Sequence, residues 1–141
     1  MERLIVDAMN VIGSRPTGWW RDRAGATRRL VAVLERLASS DTVSELAVVV
    51  DGRPVGGLPA GPRGALRLLY APRRGRNAAD DRIVELVARD GDPTSLCVVT
   101  SDRLLAERVR ALGASVVGAS VLLRRLDALP PAGDGSPLGP A

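Results

Sequence analysis

Short, continuously apolar segments recur along the chain and predict five strands. They span residues 4–6, 46–50, 66–70, 96–99 and 115–117, and each is rich in Val, Leu or Ile. Apolar residues at successive positions, without alternation, are typical of strands that are covered on both faces. We therefore expect these strands to form the middle layer of the protein.

The segments between the strands carry apolar residues at helical spacing and predict four helices. The four stripes are Leu30, Val33, Leu34 and Leu37; Ile83, Leu86 and Val87; Leu105, Val109 and Leu112; and a last one that begins at Ser120 and includes Leu123 and Leu126. Strands that alternate with helices favour a parallel sheet with helices on both sides, because parallel neighbours need a long crossover. The second and third strands are joined instead by a Gly- and Pro-rich segment, residues 52–65, which we predict to be a loop.

Polar residues and glycines mark the expected ends of the helices and of the domain. Ser101 is predicted to cap the third helix, Gly113 to end it, and Asn77 to cap the second. A chain of 141 residues provides for one hydrophobic core, so residues 1–129 are predicted to form a single domain. Residues 130–141 are rich in Pro and Gly, which predicts a disordered tail.

The composition removes several classes of chemistry. The chain has no His and all 20 basic residues are Arg, which excludes histidine-based hydrolysis, histidine-ligated zinc and a catalytic lysine. The single cysteine, Cys97, cannot form an internal disulfide and fits a reducing compartment. No secretory signal is visible, and no apolar stretch approaches the ~20 residues of a membrane helix. We therefore expect a cytoplasmic protein without membrane attachment.

Aspartates fall where a parallel sheet places its ligands. Asp7 ends the first predicted strand, Asp51 ends the second, Asp102 follows the fourth, and Asp80 and Asp81 open the helix after the third. In open parallel sheets, ligands bind at the carboxyl ends of the strands where the strand order reverses. If the third, second, first, fourth and fifth strands lie side by side in that order, Asp7 and Asp102 face each other at this reversal.

Carboxylates that converge on one crevice repel each other, and a raised pKa, an arginine partner or a divalent cation can relieve this. Oxygen ligands without His or Cys favour Mg²⁺ or Mn²⁺ over zinc, and such an ion can activate water for phosphodiester hydrolysis. Structural roles remain open for these aspartates. Asp51-Gly52 is also a turn signal, and an acidic residue in the first turn of a helix interacts favourably with the helix dipole. Asp7 directly after a buried strand needs a partner.

Arginines cluster in the segments next to the predicted strand ends. Residues 52–79 contain six arginines and no acid, residues 15–29 contain five against one acid, and the net charge is +4. Arginines concentrated next to the strand ends would attract polyanions. The alternative is that they are ordinary surface residues without a shared function. Beside them, Trp19 and Trp20 could stack on unpaired bases or cover the edge of the core. The candidate substrate-binding arginines are Arg21, Arg23, Arg53, Arg73, Arg74 and Arg76.

Four segments, taken in order, resemble the NYN domains of the PIN-like nuclease superfamily, and their spacing is most similar to the YacP-like branch over residues 3–126. The segments are Ile5–Gly13 with its Asp-x-x-Asn pattern, Val48–Gly52, Asn77–Asp81 and Val98–Asp102. The resemblance implies a PIN-like three-layer α/β/α sandwich with a central, mainly parallel sheet of about five strands. It also implies an endoribonuclease that uses Mg²⁺ or Mn²⁺ and acts on mRNA, with the ribosome as an expected site of action.

The resemblance also implies roles for individual residues. Asp7, Asp80 and Asp102 would be the catalytic metal ligands. The auxiliary positions would be Asp81 and Asp51, Asn10 to position substrate or Asp7, and Ser101 to bond a ligand carboxylate or water.

Two other hypotheses for the function remain open alongside the nuclease. One is a module that binds RNA or the ribosome without cutting, and the other is phosphoryl transfer, which the absence of lysine disfavours. The expected partner is RNA, and both a monomer and a homodimer are compatible with the sequence.

Overall fold

A computed structural model describes residues 1–71 and 78–130 and shows a six-stranded sheet between two layers of helices. The strands are β1 (Glu2–Asp7), β2 (Val43–Asp51), β3 (Gly61–Arg63), β4 (Leu66–Ala71), β5 (Leu96–Val99) and β6 (Ser115–Val117). The helices are α1 (Ala8–Gly13), α2 (Arg23–Ala38), α3 (Ala78–Arg89), α4 (Arg103–Ala111) and α5 (Ala119–Asp127), with single 3₁₀ turns at Trp19–Arg21 and Pro93–Ser95. The predicted cap Asn77 and the predicted tail from residue 131 onward lie outside the described residues.

The sheet has the order β3-β4-β2-β1-β5-β6, and every neighbouring pair is parallel except β3 and β4. This agrees with the order assumed from the sequence, with β3 added at one edge. The central strand is β1, whose Val6 pairs with Val48 of β2 on one side and Val99 of β5 on the other. The strand order therefore reverses between β1 and β5, at the end of β1 that carries Asp7.

Two hydrophobic cores cover the two faces of the sheet. Helices α1, α2 and α5 pack on one face, where Val6 and Leu34 are fully buried, and α3 and α4 pack on the other, where Ile5 and Ile83 are buried. Successive side chains of a strand point to opposite faces, so a strand between two cores needs apolar residues at every position. The predicted α/β sandwich with a mainly parallel sheet is confirmed.

The prediction that residues 52–65 form only a loop is wrong. Strand β3 lies within this segment and pairs in antiparallel fashion with β4 through a tight turn at Gly64, whose φ is +62°. Pro62 cannot donate a backbone hydrogen bond, and β3 tolerates it because it is an edge strand. A three-residue strand containing Gly and Pro carries none of the usual strand signals.

The helices also differ from the prediction near their ends. Helix α1, directly after β1, is not among the four helices that the sequence predicts, and the third predicted helix ends at Ala111, one residue before Leu112. Within the described ranges, no helix is both long enough and apolar enough to cross a bilayer.

Candidate active site

Four aspartates from distant parts of the chain line one open cavity at the carboxyl edge of the sheet, which we call the acid cavity. It has a volume of about 290 Å³, and its lining residues are Asp7, Met9, Asn10, Asp51, Ala79, Asp80 and Asp102. The ends of β1 and β2, the first turn of α3 and the start of α4 bring these side chains together. The structure thus gathers the three residues predicted as metal ligands together with Asp51, which is predicted as an auxiliary position.

Asp7 is a buried carboxylate whose negative charge is only partly stabilised by hydrogen bonds. It is only 5% exposed, and its Oδ2 accepts a hydrogen bond of 2.9 Å from Thr100 Oγ1. Burial raises the pKa of Asp7 to about 6, and the nearby charge of Asp80 adds to this, while the hydrogen bond from Thr100 opposes it. A bound cation would favour the charged form of this group.

Thr100 is a site residue that the sequence analysis missed. Its hydroxyl donates to Asp7 and accepts a hydrogen bond of 3.1 Å from the backbone N–H of Asp102, so it connects two of the acids. A threonine at the end of an apolar strand is indistinguishable from a core residue in the sequence. Only the pairing of Val6 with Val99, which brings the next residues of both strands level, reveals it.

Asp102 caps helix α4, and the prediction that Ser101 is the cap is wrong. The Asp102 carboxylate accepts a hydrogen bond of 3.1 Å from the backbone N–H of Leu105. Asp102 has the extended backbone of a capping residue and directly precedes the first helical residue, whereas Ser101 lies one position too early.

Ser101 and Asn10 instead connect three segments around the acid cavity. The backbone N–H of Ser101 donates to Asn10 Oδ1 at 2.8 Å, and Ser101 Oγ accepts from the backbone N–H of Ala119 at 2.9 Å. These bonds join α1, the β5–α4 connection and the start of α5. In this structure both side chains therefore position the walls of the cavity.

The structure separates the adjacent acids Asp80 and Asp81. Asp80 lines the acid cavity, and its pKa is raised, first by burial and then by the charge of Asp102, against the opposing charge of Arg108. Asp81 is exposed on the surface, where its carboxylate lies 3.0 Å from Arg108 of α4. Sequence spacing could not show this, since the partner is 27 residues away.

Asp51 is the last residue of β2 and lines the acid cavity. Its Oδ1 is buried and accepts no hydrogen bond from the described residues. Gly52 follows in a bend with a φ of +103°, and its N–H donates to Ala71 O at 2.8 Å, so this bond continues the pairing of β2 with β4 and does not close a turn at Asp51-Gly52. A buried carboxylate oxygen without a donor is a position where a cation or a ligand donor would be stabilising.

The donor set suits a hard divalent cation that keeps part of its water shell. Across residues 1–71 and 78–130, no arginine lies within ion-pair distance of the four cavity aspartates. In the same ranges, no three acidic groups lie close enough together to form a complete metal cluster. Magnesium is commonly held by one or two carboxylates and several waters, so the oxygen-only set fits Mg²⁺ or Mn²⁺ better than zinc.

The predicted arginines and tryptophans occupy different places. Arg23 and Arg53 line a second cavity that shares Asp51 with the acid cavity. Trp20 is 60% exposed and lies 6.0 Å from the Arg21 guanidinium, whereas Trp19 is half-buried. The sequence leaves two hypotheses for the tryptophans. The exposure of Trp20 favours stacking on a base, and the partial burial of Trp19 favours covering the edge of the core. Arg73, Arg74 and Arg76 lie outside the described residues.

A mainly parallel sheet between two helical layers, with aspartates gathered at the reversal of strand order, defines the fold as that of the PIN-like nucleases. The model of the YacP-like NYN domain family matches residues 4–132, and the chain belongs to this family, as its four motifs predict. No curated protein sequence matches the chain.

Solved structures with the same fold include Rae1 (YacP) from Bacillus subtilis and a tryptophan-to-leucine mutant of it. The first is 24% identical with a TM-score of 0.69, and the match covers 90% of this chain and 74% of that one. The mutant is 23% identical with a TM-score of 0.73, and the match covers 90% of this chain and 76% of that one.

Proposed function

We propose that this protein is a divalent-metal-dependent endoribonuclease. The observation that carries the proposal is the acid cavity, in which Asp7, Asp51, Asp80 and Asp102 meet without an arginine partner among the described residues. Such a concentration of negative charge costs free energy unless a cation is bound there. The family supports the same conclusion, because NYN domains are nuclease-type folds.

Asp7, Asp80 and Asp102 would hold the cation partly through its bound waters, since no three acidic groups of the described residues lie close enough to ligate one ion together. Each of the three acids stands on its own structural element. A bound Mg²⁺ or Mn²⁺ would lower the pKa of the attacking water and neutralise charge on the phosphate. The hydroxyl of Thr100 orients Asp7, and the capping bond to Leu105 orients Asp102. Because water attacks the phosphorus, one bridging P–O bond breaks, and its oxygen leaves as a hydroxyl after taking up a proton.

The proposed substrate is RNA, and specifically mRNA, including mRNA on the ribosome in the cytoplasm. The net charge of +4 and the exposed arginines support a polyanionic partner. The choice of mRNA and of the ribosome is supported by the resemblance to the YacP-like family rather than by the geometry.

The test is cleavage of mixed RNA, both free and on purified ribosomes, in buffers containing Mg²⁺, Mn²⁺ or EDTA. We expect new RNA ends with either cation and none with EDTA. Water attack leaves no 2′,3′-cyclic phosphate, and 2′-O-methyl RNA should be cut as well, since its 2′ oxygen takes no part. Asp7→Asn should reduce the rate by at least about 100-fold, because a proposed metal ligand loses its charge.

The matched control is Asp41→Asn, which changes an exposed aspartate in the turn before β2, at the opposite edge of the sheet. This variant should cut RNA like the parent protein. If Asp7→Asn cuts as fast as Asp41→Asn, the assignment of the acid cavity is wrong.

A second candidate function is an RNA- or ribosome-binding module of the same fold. It is favoured by one observation, the lack of a complete three-acid metal cluster in residues 1–71 and 78–130. A binding module would hold RNA with a steep salt dependence, would not require a divalent cation and would leave the RNA intact. Intact RNA in Mn²⁺ together with cation-independent binding would establish this function instead.

A further inference from the structure

A second cavity adjoins the acid cavity and carries the opposite charge. We call it the basic groove. It lies between the start of α2 and the segment that follows β2, has a volume of about 810 Å³, and shares Asp51 with the acid cavity. Its lining residues are Arg23, Ala24, Thr27, Val50, Asp51, Gly52, Arg53, Pro54, Val55 and Gly56.

The arginines of the basic groove are available for a ligand. Arg23 and Arg53 are exposed, and no carboxylate among residues 1–71 and 78–130 lies within ion-pair distance of either one. Arg23 Nη2 donates to the backbone O of Asp51 at 3.4 Å, which holds the guanidinium at the border between the two cavities. An anion in the groove would therefore meet two cations next to the acid cavity.

The outer wall of the basic groove is fixed in place. Tyr70 donates its hydroxyl proton to Leu58 O at 2.7 Å and accepts from the backbone N–H of Val55 at 3.2 Å. Arg28 Nη2 donates to Gly56 O at 3.0 Å from the other side. A wall held by side chains of α2 and β4 does not have to become ordered when a ligand binds, which favours affinity.

The groove also offers surfaces for a nucleobase. Pro54, Val55 and Ala24 supply apolar contacts beside the arginines. Trp20 lies three residues before Arg23, so its backbone is within about 11 Å of the groove along the chain, and its ring is 60% exposed. Apolar surface beside cationic groups, with an exposed aromatic ring nearby, is the combination used by proteins that bind single strands.

We propose that the basic groove binds an unpaired RNA nucleotide next to the phosphate that is cut in the acid cavity. Arg23 and Arg53 would hold its phosphate, and Pro54 and Val55 would contact its base. The inference rests on the proposed nuclease function and deepens it. Because paired bases are stacked inside a duplex and cannot enter a recess, the protein would select single-stranded RNA.

The test measures binding separately from cleavage. A short fluorescent RNA without self-complementarity is titrated with protein in EDTA, and the same strand is titrated after annealing to its complement. Arg23→Ala and Arg53→Ala should each weaken Kd for the single strand about 5- to 30-fold and lower the salt slope by about one. The duplex should bind at least about 10-fold more weakly than the single strand. Arg53→Lys should recover part of the loss, because it keeps the charge.

The matched control is Arg110→Ala, which removes an exposed arginine near the end of α4, at the opposite edge of the sheet. It should bind RNA like the parent protein, and circular dichroism should show that every variant is folded. The inference is overturned if the groove variants bind like Arg110→Ala or if the duplex binds as tightly as the single strand.

The same variants separate this inference from the proposed function. If the parent cuts RNA in Mn²⁺ and the groove variants bind and cut normally, the groove assignment fails and the nuclease stands. If the groove variants lose binding in EDTA while the parent never cuts, the groove stands and the nuclease fails.

Discussion

Asp7 carries a charge that the fold only partly stabilises. Among the described residues, the Thr100 hydroxyl and the backbone N–H of Asn10 stabilise its carboxylate, whereas the charges of Asp80 and Asp102 have the same sign as its own. Burial removes most of the water that would otherwise solvate it. The protein therefore carries, at neutral pH, an electrostatic cost that proton binding or cation binding can relieve.

The electrostatic cost of the buried Asp7 charge predicts that the effect of Asp7→Asn on the free energy of unfolding depends on pH. The pKa of Asp7 rises from 3.8 to about 6 on folding, so the folded protein binds this proton more tightly than the unfolded chain. The stabilisation from protonation is complete below about pH 4 and is lost as the pH rises through 6, a change of roughly 3 kcal/mol. Asn does not titrate, so the free energy of unfolding of the variant should exceed that of the parent near pH 7.5, and this advantage should disappear near pH 4.

Urea unfolding between about pH 4 and pH 8, in EDTA, measures this difference. Asp41→Asn, at an exposed position, should follow the parent across the range. Curves for Asp7→Asn that run parallel to the parent would show that Asp7 does not titrate as the structure indicates.

At the residue scale, the sequence predicts where a side chain lies in the fold better than it predicts its hydrogen-bond or ion-pair partner. Asp7, Asp51 and Asp102 could be placed because each stands at the end of an apolar strand, and a parallel sheet brings such ends to one edge. The hydrogen bond of Thr100 and the ion pair of Arg108 with Asp81 could not be predicted. Both depend on the register between strands or on how two helices pack, and neither leaves a pattern in the local sequence.

At the scale of elements, helix α4 begins on a residue of the candidate site. The carboxylate of Asp102 caps the helix through the N–H of Leu105 and also lines the acid cavity. The helix therefore fixes the direction of a candidate metal ligand, and a substitution at this position changes both stability and chemistry.

Two variants of Asp102 separate these effects. Asp102→Ser removes the charge but keeps a capping oxygen, whereas Asp102→Ala removes both. Since both variants relieve the same repulsion with Asp7 and Asp80, the difference between them isolates the cap. Asp102→Ser should be more stable than Asp102→Ala by about 1 kcal/mol in urea unfolding, and both should lose RNA cleavage. Equal stabilities would show that the capping bond contributes nothing.

The elements that the sequence predicts are those with long apolar patterns. Helix α2 faces one core, and its burial produces an apolar stripe at helical spacing, whereas β1, β2 and β5 lie between two cores and are apolar at nearly every position. Helix α1 has six residues and β3 has three, which is too short for a period to be recognised. Their positions are determined by tertiary contacts rather than by their own composition.

At the scale of the whole molecule, opposite charges are sorted within one edge of the sheet. The acid cavity and the basic groove are neighbours that share Asp51. The sequence predicts that acids and arginines reach this edge, because both follow strand ends. It could not predict how they divide between two cavities, since this depends on the path of residues 52–58 and on the contacts of Tyr70 and Arg28 that hold it.

A divalent cation that binds in the acid cavity should stabilise the folded protein. At a concentration about 100-fold above Kd, the gain is about 2.7 kcal/mol, which corresponds to a rise of several degrees in Tm. Thermal unfolding in Mg²⁺ or Mn²⁺, compared with EDTA at equal ionic strength, measures it without RNA. The rise should disappear in Asp80→Asn and should shrink below about pH 6, where Asp7 becomes protonated.

Asp41→Asn should show the same rise in Tm as the parent. An equal rise in Asp80→Asn would mean that the cation acts elsewhere on the surface.

The bond between Ser101 Oγ and the N–H of Ala119 has a practical consequence for anyone shortening or fusing the chain. It attaches the last described helix to the segment that carries Asp102, while Asn10 holds the same segment from the other side. A truncation before α5 would remove more than a terminal helix, because it would release one of the two anchors beside the candidate site. Truncations and carboxyl-terminal fusions should therefore keep every residue through Asp127.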